Sequence, residues 1–151
     1  MKYAMNKEEK EAKKVYEDSA EFYHDYRTRI NPNGWFYNEY LEMPATLKVL
    51  GNVKGKNVLD YGCGSGIYTE RLRRKDAKVK GFDISKKMLD IARKNNPGVE
   101  FKQGSGYNIP FREKFDIVLA PLVIHYMKDW DKVFKEVKRV LNKGGLFIFW
   151  V

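Results

Sequence analysis

From Lys7 to about Arg29, the apolar positions Ala12, Val15, Tyr16, Ala20, Phe22, Tyr23 and Tyr26 recur at helical spacing among charges, which predicts one or two amphipathic helices. Asn31-Pro32-Asn33-Gly34 breaks the pattern with four strong turn formers. Helical spacing resumes over Trp35 to Leu50 with Phe36, Tyr40, Leu41, Leu47, Val49 and Leu50, interrupted by Pro44. Beyond Lys54-Gly55-Lys56 the texture changes to short apolar runs alternating with helix-period segments, the signature of βαβ units and a parallel sheet. Five strands are expected: Asn57 to Tyr61, Lys78 to Asp83, Val99 to Lys102, Phe115 to Ala120 and Leu146 to Val151. Helices are expected near Ile67 to Lys75, Lys86 to Asn95 and Trp130 to Leu141. In the last of these, Val133, Phe134, Val137, Val140 and Leu141 share a face, Asp129 is the expected N-cap, and Gly144-Gly145 is expected to close the C-terminal end.

Composition narrows the class without changing this layout. A length of 151 residues argues for one domain, and 43% apolar with 32% charged residues argues for a soluble globular protein. The longest apolar stretches, Ile117 to Ile124 and Leu146 to Val151, are far shorter than the roughly 20 residues of a membrane span. The N-terminal MKYAMNKEEKEAKK lacks the apolar core and small-residue site of a secretory signal, so a cytoplasmic location is expected. Cys63 is the single cysteine, which excludes an internal disulfide and a thiolate metal cluster, and no metal site is expected. The formal charge of +9 favours anionic partners, but many of the positives fall in pairs such as Lys13-Lys14, Arg73-Arg74, Lys86-Lys87 and Arg93-Lys94, as solvated helix faces also do.

The stretch richest in chemistry is Val58-Leu59-Asp60-Tyr61-Gly62-Cys63-Gly64-Ser65-Gly66, a strand running into three alternating glycines and then a helix. Glycines permit a tight turn and close approach of a ligand to the backbone, and the helix that follows presents unpaired N–H groups. The spacing is not the dinucleotide G-x-G-x-x-G, because Ile67 or Thr69 stands where the last glycine belongs; no Lys-Ser or Lys-Thr pair follows, which excludes a triphosphate loop. Asp83 ends the second strand, 21 residues after Gly62, where a carboxylate can accept both hydroxyls of a ribose. A plain strand–helix turn and a helix cap at Asp83 for Lys86 are the structural alternatives. Cys63 reads as a small packing residue.

Asp60 with Gly62-x-Gly64-x-Gly66 resembles motif I of the class I S-adenosylmethionine-dependent methyltransferases. Phe115 to Ala120 with Val123-Ile124-His125-Tyr126 resembles the fourth strand and following helix start of that family, and Leu141-Asn142-Lys143-Gly144-Gly145-Leu146 its LKPGG turn. The resemblance covers roughly Gly51 to Val151, and segment 35 to 50 is similar to the approach to motif I in small-molecule members. It implies an α/β, doubly wound, Rossmann-like parallel sheet of strand order 3-2-1-4-5. Residues 51–151 would then be the cofactor-binding unit, and residues 1–50 a helical lid folded with it.

The implied activity is methyl transfer from S-adenosylmethionine to a small-molecule acceptor by in-line displacement, leaving S-adenosylhomocysteine. The cofactor would be held by Asp60, Gly62, Gly64 and Gly66 at its methionine portion, by Asp83 at the ribose, by Ile84 and Met88 at the adenine face, by Ser105, Gly106 and Tyr107 at its polar edge, and by backbone near Ala120 at the ammonium. His125 and Tyr23 are the candidate general bases; His125 equally suits a helix start, and the tyrosines of the first helix equally suit packing. Leu119-Ala120-Pro121-Leu122 lacks the Pro-Pro-aromatic element of nucleobase N-methylation. An RNA methyltransferase using the basic charge and a non-catalytic cofactor-binding domain are the alternatives.

Two departures from the family pattern stand out. Where relatives place Asp against the adenine amino group, Gly104-Ser105-Gly106 has a neutral hydroxyl, a difference on the order of 1 kcal/mol. The chain also ends at Phe149-Trp150-Val151, which leaves an apolar edge on strand five. The expectation is a fragment of a longer protein, or another chain covering that edge by self-association.

Overall fold

The computed structural model describes residues 3–28 and 37–150. The expected turn at Asn31–Gly34, with Trp35, Phe36 and Val151, lies outside the described residues. The chain runs α1 (Lys7–Thr28), a short π-helical turn (Tyr37–Glu42), α2 (Met43–Leu50), β1 (Asn57–Tyr61), α3 (Ile67–Arg73), β2 (Lys78–Asp83), α4 (Lys86–Asn95), β3 (Glu100–Gln103), β4 (Phe115–Ala120), α5 (Trp130–Val140) and β5 (Leu141–Phe149). The five strands form one parallel sheet, as the sequence pattern predicts, in the order β3-β2-β1-β4-β5 that the family resemblance implies.

Central parallel strands are covered on both faces, so β1 and β4 are nearly continuous apolar runs. Alternation still sorts their side chains. Val58, Ile117 and Leu119 face Met43 and Leu50 of α2 and Tyr68 and Leu72 of α3. Leu59, Tyr61, Val118 and Ala120 face the opposite way, onto Val133, Val137 and Val140 of α5. Leu89 and Ala92 of α4 pack with Phe101 and Cys63, and the bare Gly81 makes room for the Phe101 ring, which a Cβ there would meet at 2.8 Å. α2 is thus part of the sheet's packing, whereas α1 crosses the C-terminal ends of the strands.

Several boundaries differ from expectation. α1 is a single 22-residue helix. Pro44 falls in the first turn of α2, where a missing N–H costs little, and the backbone just before it is wound as a π-helix rather than interrupted. β3 starts at Glu100 and extends to Gln103. The largest change is at β5. Leu141 already pairs with Phe115, and Leu146 pairs with Ile117, so residues 142–145 bulge out between them. The bulge is held by Asn142, whose side-chain amide donates to Asp116 Oδ1 at 2.8 Å, and Gly144 supplies a left-handed turn at φ 77°. Gly144-Gly145 therefore shapes a strand bulge and does not close α5, which ends at Val140 because Leu141 has already entered the sheet. Asp129 is the α5 N-cap, accepting from Lys132 N at 3.1 Å.

Candidate functional site

The three loop glycines all have left-handed backbone, with φ of 67° at Gly62, 51° at Gly64 and 82° at Gly66. Each leaves space for something different. A Cβ on Gly62 would meet Val123 Cγ2 at 2.7 Å, so its absence lets the segment after β4 pack on the loop. One on Gly66 would meet Asn96 Nδ2 at 2.6 Å; here α3 and α4 touch, and Asn96 donates to the Gly66 carbonyl at 3.1 Å. Gly64 has open space where its Cβ would be, and it lines a cavity.

Two acids stand behind the loop. Asp60 is buried at the end of β1; its Oδ2 accepts from Thr69 Oγ1 at 2.6 Å, while Oδ1 has no hydrogen-bond partner. Burial pushes this carboxyl up to about 7. Asp83 is also raised by burial, and its oxygens accept from Gly64 N and Ser85 N, each at 2.9 Å. The cap of α4 is Ser85, which accepts from Met88 N at 3.2 Å, so the helix-cap alternative for Asp83 does not hold.

α1 roofs these groups through polar contacts spread along its length. Glu9 closes a capping box with Asn6 at the helix start and accepts a hydrogen bond from Ser105 Oγ. Tyr16 Oη donates to Tyr126 Oη at 3.0 Å, and its ring meets those of Tyr23 and Tyr126 edge to face. Glu17 accepts from Lys86 N at 2.6 Å and Lys87 N at 3.3 Å, placing its charge at the N-terminus of α4, where the helix dipole favours it. His24 Nδ1 lies 2.9 Å from Ser65 Oγ, and its Nε2 lies 3.2 Å from Asn95 Nδ2.

Between roof and strand ends lies a cavity of about 140 Å³. Of the residues singled out from sequence, Asp60, Gly62, Gly64, Asp83, Ile84, Met88, Gly106, Tyr107 and Tyr23 line it. Gly66, Ser105, Ala120 and His125 do not. Gly66 is spent on the α3–α4 contact, Ser105 is turned to Glu9, and Ala120 is fully buried in the α5-side core. His125 is exposed on a one-turn 3-10 helix (Ile124–Tyr126), its ring tilted at 44° against that of Tyr126, so the candidate base stands outside the cavity that Tyr126 faces. Leu122, also lining the cavity, carries a φ of 53° that is rare for so bulky a residue.

Reading the sequence missed Glu9, Arg27 and Tyr126 in the lining and Glu17 and His24 in the roof's attachment. The Asn6–Glu9 spacing of a capping box was a visible signal for one of them; the partners of Tyr126, Glu17 and His24 lie 41 to 110 residues away in the chain.

A methyltransferase domain family model matches residues 59–149, which holds all five strands but for the first two residues of β1. The chain belongs to the methyltransferase domain family. Among curated members of this family, it is 34% identical over 103 residues to the ubiquinone biosynthesis O-methyltransferase of Pelagibacter ubique, covering 66% of this chain and 42% of that protein. It is 35% identical over 109 residues to the demethylmenaquinone methyltransferase of Lactococcus lactis, covering 66% and 43%. An S-adenosylmethionine-dependent methyltransferase structure from Mesorhizobium loti superposes with a TM-score of 0.69 at 31% identity, over 74% of this chain and 54% of that one. The chain spans about half the length of the curated relatives it matches.

Proposed function

We propose that the cavity over the glycine loop binds S-adenosylmethionine and that the chain takes part in methyl transfer to a small-molecule acceptor. The observation that carries this reading is the joint placement of Gly64, Asp83, Ile84 and Met88 around one cavity at the C-terminal ends of β1 and β2, where open α/β sheets hold ligands. Asp83, fixed in position by two backbone N–H groups, keeps lone pairs for the ribose hydroxyls. Ile84 and Met88 offer an apolar wall to the base. The buried carboxylate of Glu9 lies against Ser105 and supplies from the roof the negative charge that position 105 lacks, so Glu9 is the acceptor for the adenine amino group. The unpartnered Oδ1 of Asp60 is free to accept from the ammonium.

When bound, the cofactor supplies an electrophilic methyl group on sulfur that leaves a neutral sulfide. The protein's part is to align the acceptor and exclude water. The acceptor space is walled by Tyr16, Tyr23, Tyr126 and Leu122, an aromatic and apolar surface suited to a small organic molecule. Burial and the neighbouring Tyr126 hold the Tyr16 hydroxyl well above the usual tyrosine range, so it serves as a hydrogen-bond donor rather than a base. The basic pairs further support a small acceptor: Arg74 pairs with Glu70, and Lys86 and Arg93 pair with Asp90, which leaves less free charge for an RNA backbone.

Calorimetric titration with S-adenosylmethionine and S-adenosylhomocysteine tests the reading. Micromolar binding of both is the expected result, and lack of binding by either overturns it.

A further inference from the structure

Three tyrosines meet over the acceptor space, with Tyr16 as their hub. Its ring stands edge to face against Tyr23 at 6.0 Å and against Tyr126 at 6.1 Å, and all three line the cavity. Ring contacts of this kind are ordinary packing, so the argument rests on the hydroxyls. Tyr16 Oη and Tyr126 Oη lie 3.0 Å apart and share one hydrogen bond. That bond uses one of their two protons and leaves the other to be donated, whichever hydroxyl keeps it. Tyr23 Oη accepts from Arg27 Nη1 at 3.2 Å, with the guanidinium 5.9 Å from the ring centroid. A guanidinium has donors and no acceptor, so the Tyr23 proton cannot be returned to it, and the cation makes that hydroxyl a stronger donor. Among the described residues no partner takes either remaining proton.

The other charged groups of the lining meet different partners. Glu8 accepts from Lys128 at 2.6 Å, Glu9 from Ser105, Asp60 from Thr69, and Asp83 from two backbone N–H groups. His125 stands outside the cavity, so the tyrosines have no histidine base beside them. Two unspent protons suit an acceptor atom that has lone pairs and no proton of its own.

We propose that Tyr23 and the Tyr16–Tyr126 pair receive the methyl acceptor's reacting oxygen as an oxyanion, so that the chain methylates an acidic hydroxyl of the phenol or enol kind and not an amine. This rests on the S-adenosylmethionine reading above. A lone pair of the oxyanion forms the new C–O bond as the C–S bond breaks, and the electrons of that bond stay on sulfur. The negative charge of the acceptor and the positive charge of the sulfonium cancel, and no proton has to leave. The donors favour the ionised acceptor in a space where burial alone would oppose it.

The test is a spectroscopic titration of 4-nitrophenol, whose ionised form absorbs visible light, in the presence of the chain and saturating S-adenosylhomocysteine, beside a calorimetric titration of S-adenosylhomocysteine alone. Bound to wild type, the probe is expected to ionise at a proton concentration about tenfold higher than in water. The effect should shrink in Tyr23→Phe and in Tyr126→Phe and vanish when both are changed. Each substitution removes one oxygen, and S-adenosylhomocysteine affinity within threefold of wild type reports that the variant is folded. 4-Nitroaniline, of the same shape but with an amine, should bind more than tenfold more weakly at pH 8. Ionisation at a lower proton concentration than in water, as burial among packing rings or a Tyr23 acting as base would give, overturns the proposal. So do an unchanged ionisation, an effect that survives loss of both hydroxyls, equal binding of the two probes, or no binding of 4-nitrophenol at millimolar concentration. In each of these cases binding of S-adenosylhomocysteine leaves the cofactor reading standing; if S-adenosylhomocysteine itself does not bind, that reading fails and the proposal goes with it.

Discussion

The floor and the roof of the cavity are built by different physics. The floor is backbone and apolar packing: left-handed glycines, buried Leu59 and Leu119, and strand ends locked by parallel pairing on either side of β1. The roof, α1, buries only Glu9, Ala20 and Arg27 among its described residues, and it leaves Val15 61% and Phe22 73% exposed. Its attachment is a series of polar contacts, each worth about 1 kcal/mol or less net. A floor of this kind is stable without ligand, whereas a roof of this kind opens at low cost and gains most from whatever fills the space beneath it.

That contrast can be broken at the floor first. Leu59→Ala leaves a void between the sheet and α5, and chemical denaturation should show a loss of about 2–5 kcal/mol. The next effect depends on pH. The Asp60 carboxyl is raised to about 7 in the folded state from 3.8, so the folded protein holds a proton that the unfolded chain releases. The stability this proton confers is full below about 4 and is lost as pH rises through about 7. Asp60→Asn, neutral at every pH, should therefore raise the melting temperature relative to wild type at pH 8, by the equivalent of roughly 2 kcal/mol, and by much less at pH 5. Equal shifts at both values would show that Asp60 is not a strained acid. Asp83→Ala should weaken S-adenosylhomocysteine binding more than tenfold, about 1.4 kcal/mol, with a smaller effect on unfolding; unchanged affinity would take Asp83 out of the site.

At the roof the expected effects are smaller and of another kind. Glu17→Gln removes a charge from the N-terminus of α4 and should cost about 0.5–1 kcal/mol, read as faster amide exchange in α1 with little change in the denaturation midpoint of the sheet. Val15→Ala should change stability by less than about 0.5 kcal/mol in denaturation, since the side chain faces water. A large loss from Val15→Ala would mean that α1 packs against something beyond the described contacts.

Legibility follows the same division. The glycine loop, Asp60 and Asp83 could be placed from sequence because each acts within one βα unit, where spacing along the chain is spacing in space. β5 was misjudged because its first residue pairs with Phe115, and no local pattern announces a bulge that depends on Asp116 in the neighbouring strand. His125 was singled out for its side-chain chemistry, but where a ring points on a single 3-10 turn depends on what Ile124 buries, and it is Tyr126 that reaches the cavity.

The sequence by itself determined the alternation of strands and helices and the glycine loop, since hydrophobic period and turn chemistry are properties of neighbours in the chain, and the resemblance of its motifs to a known family implied the sheet order. Only the tertiary structure decided which residues roof the cavity. It paired Glu9 with Ser105, Glu17 with the start of α4 and His24 with Ser65, and it left Arg27 Nε and Nη2 without a hydrogen-bond partner among the described residues. Polar side chains on one amphipathic helix look alike in sequence; they acquire distinct roles only when a surface assembled from distant segments presents each with a partner or leaves it without one.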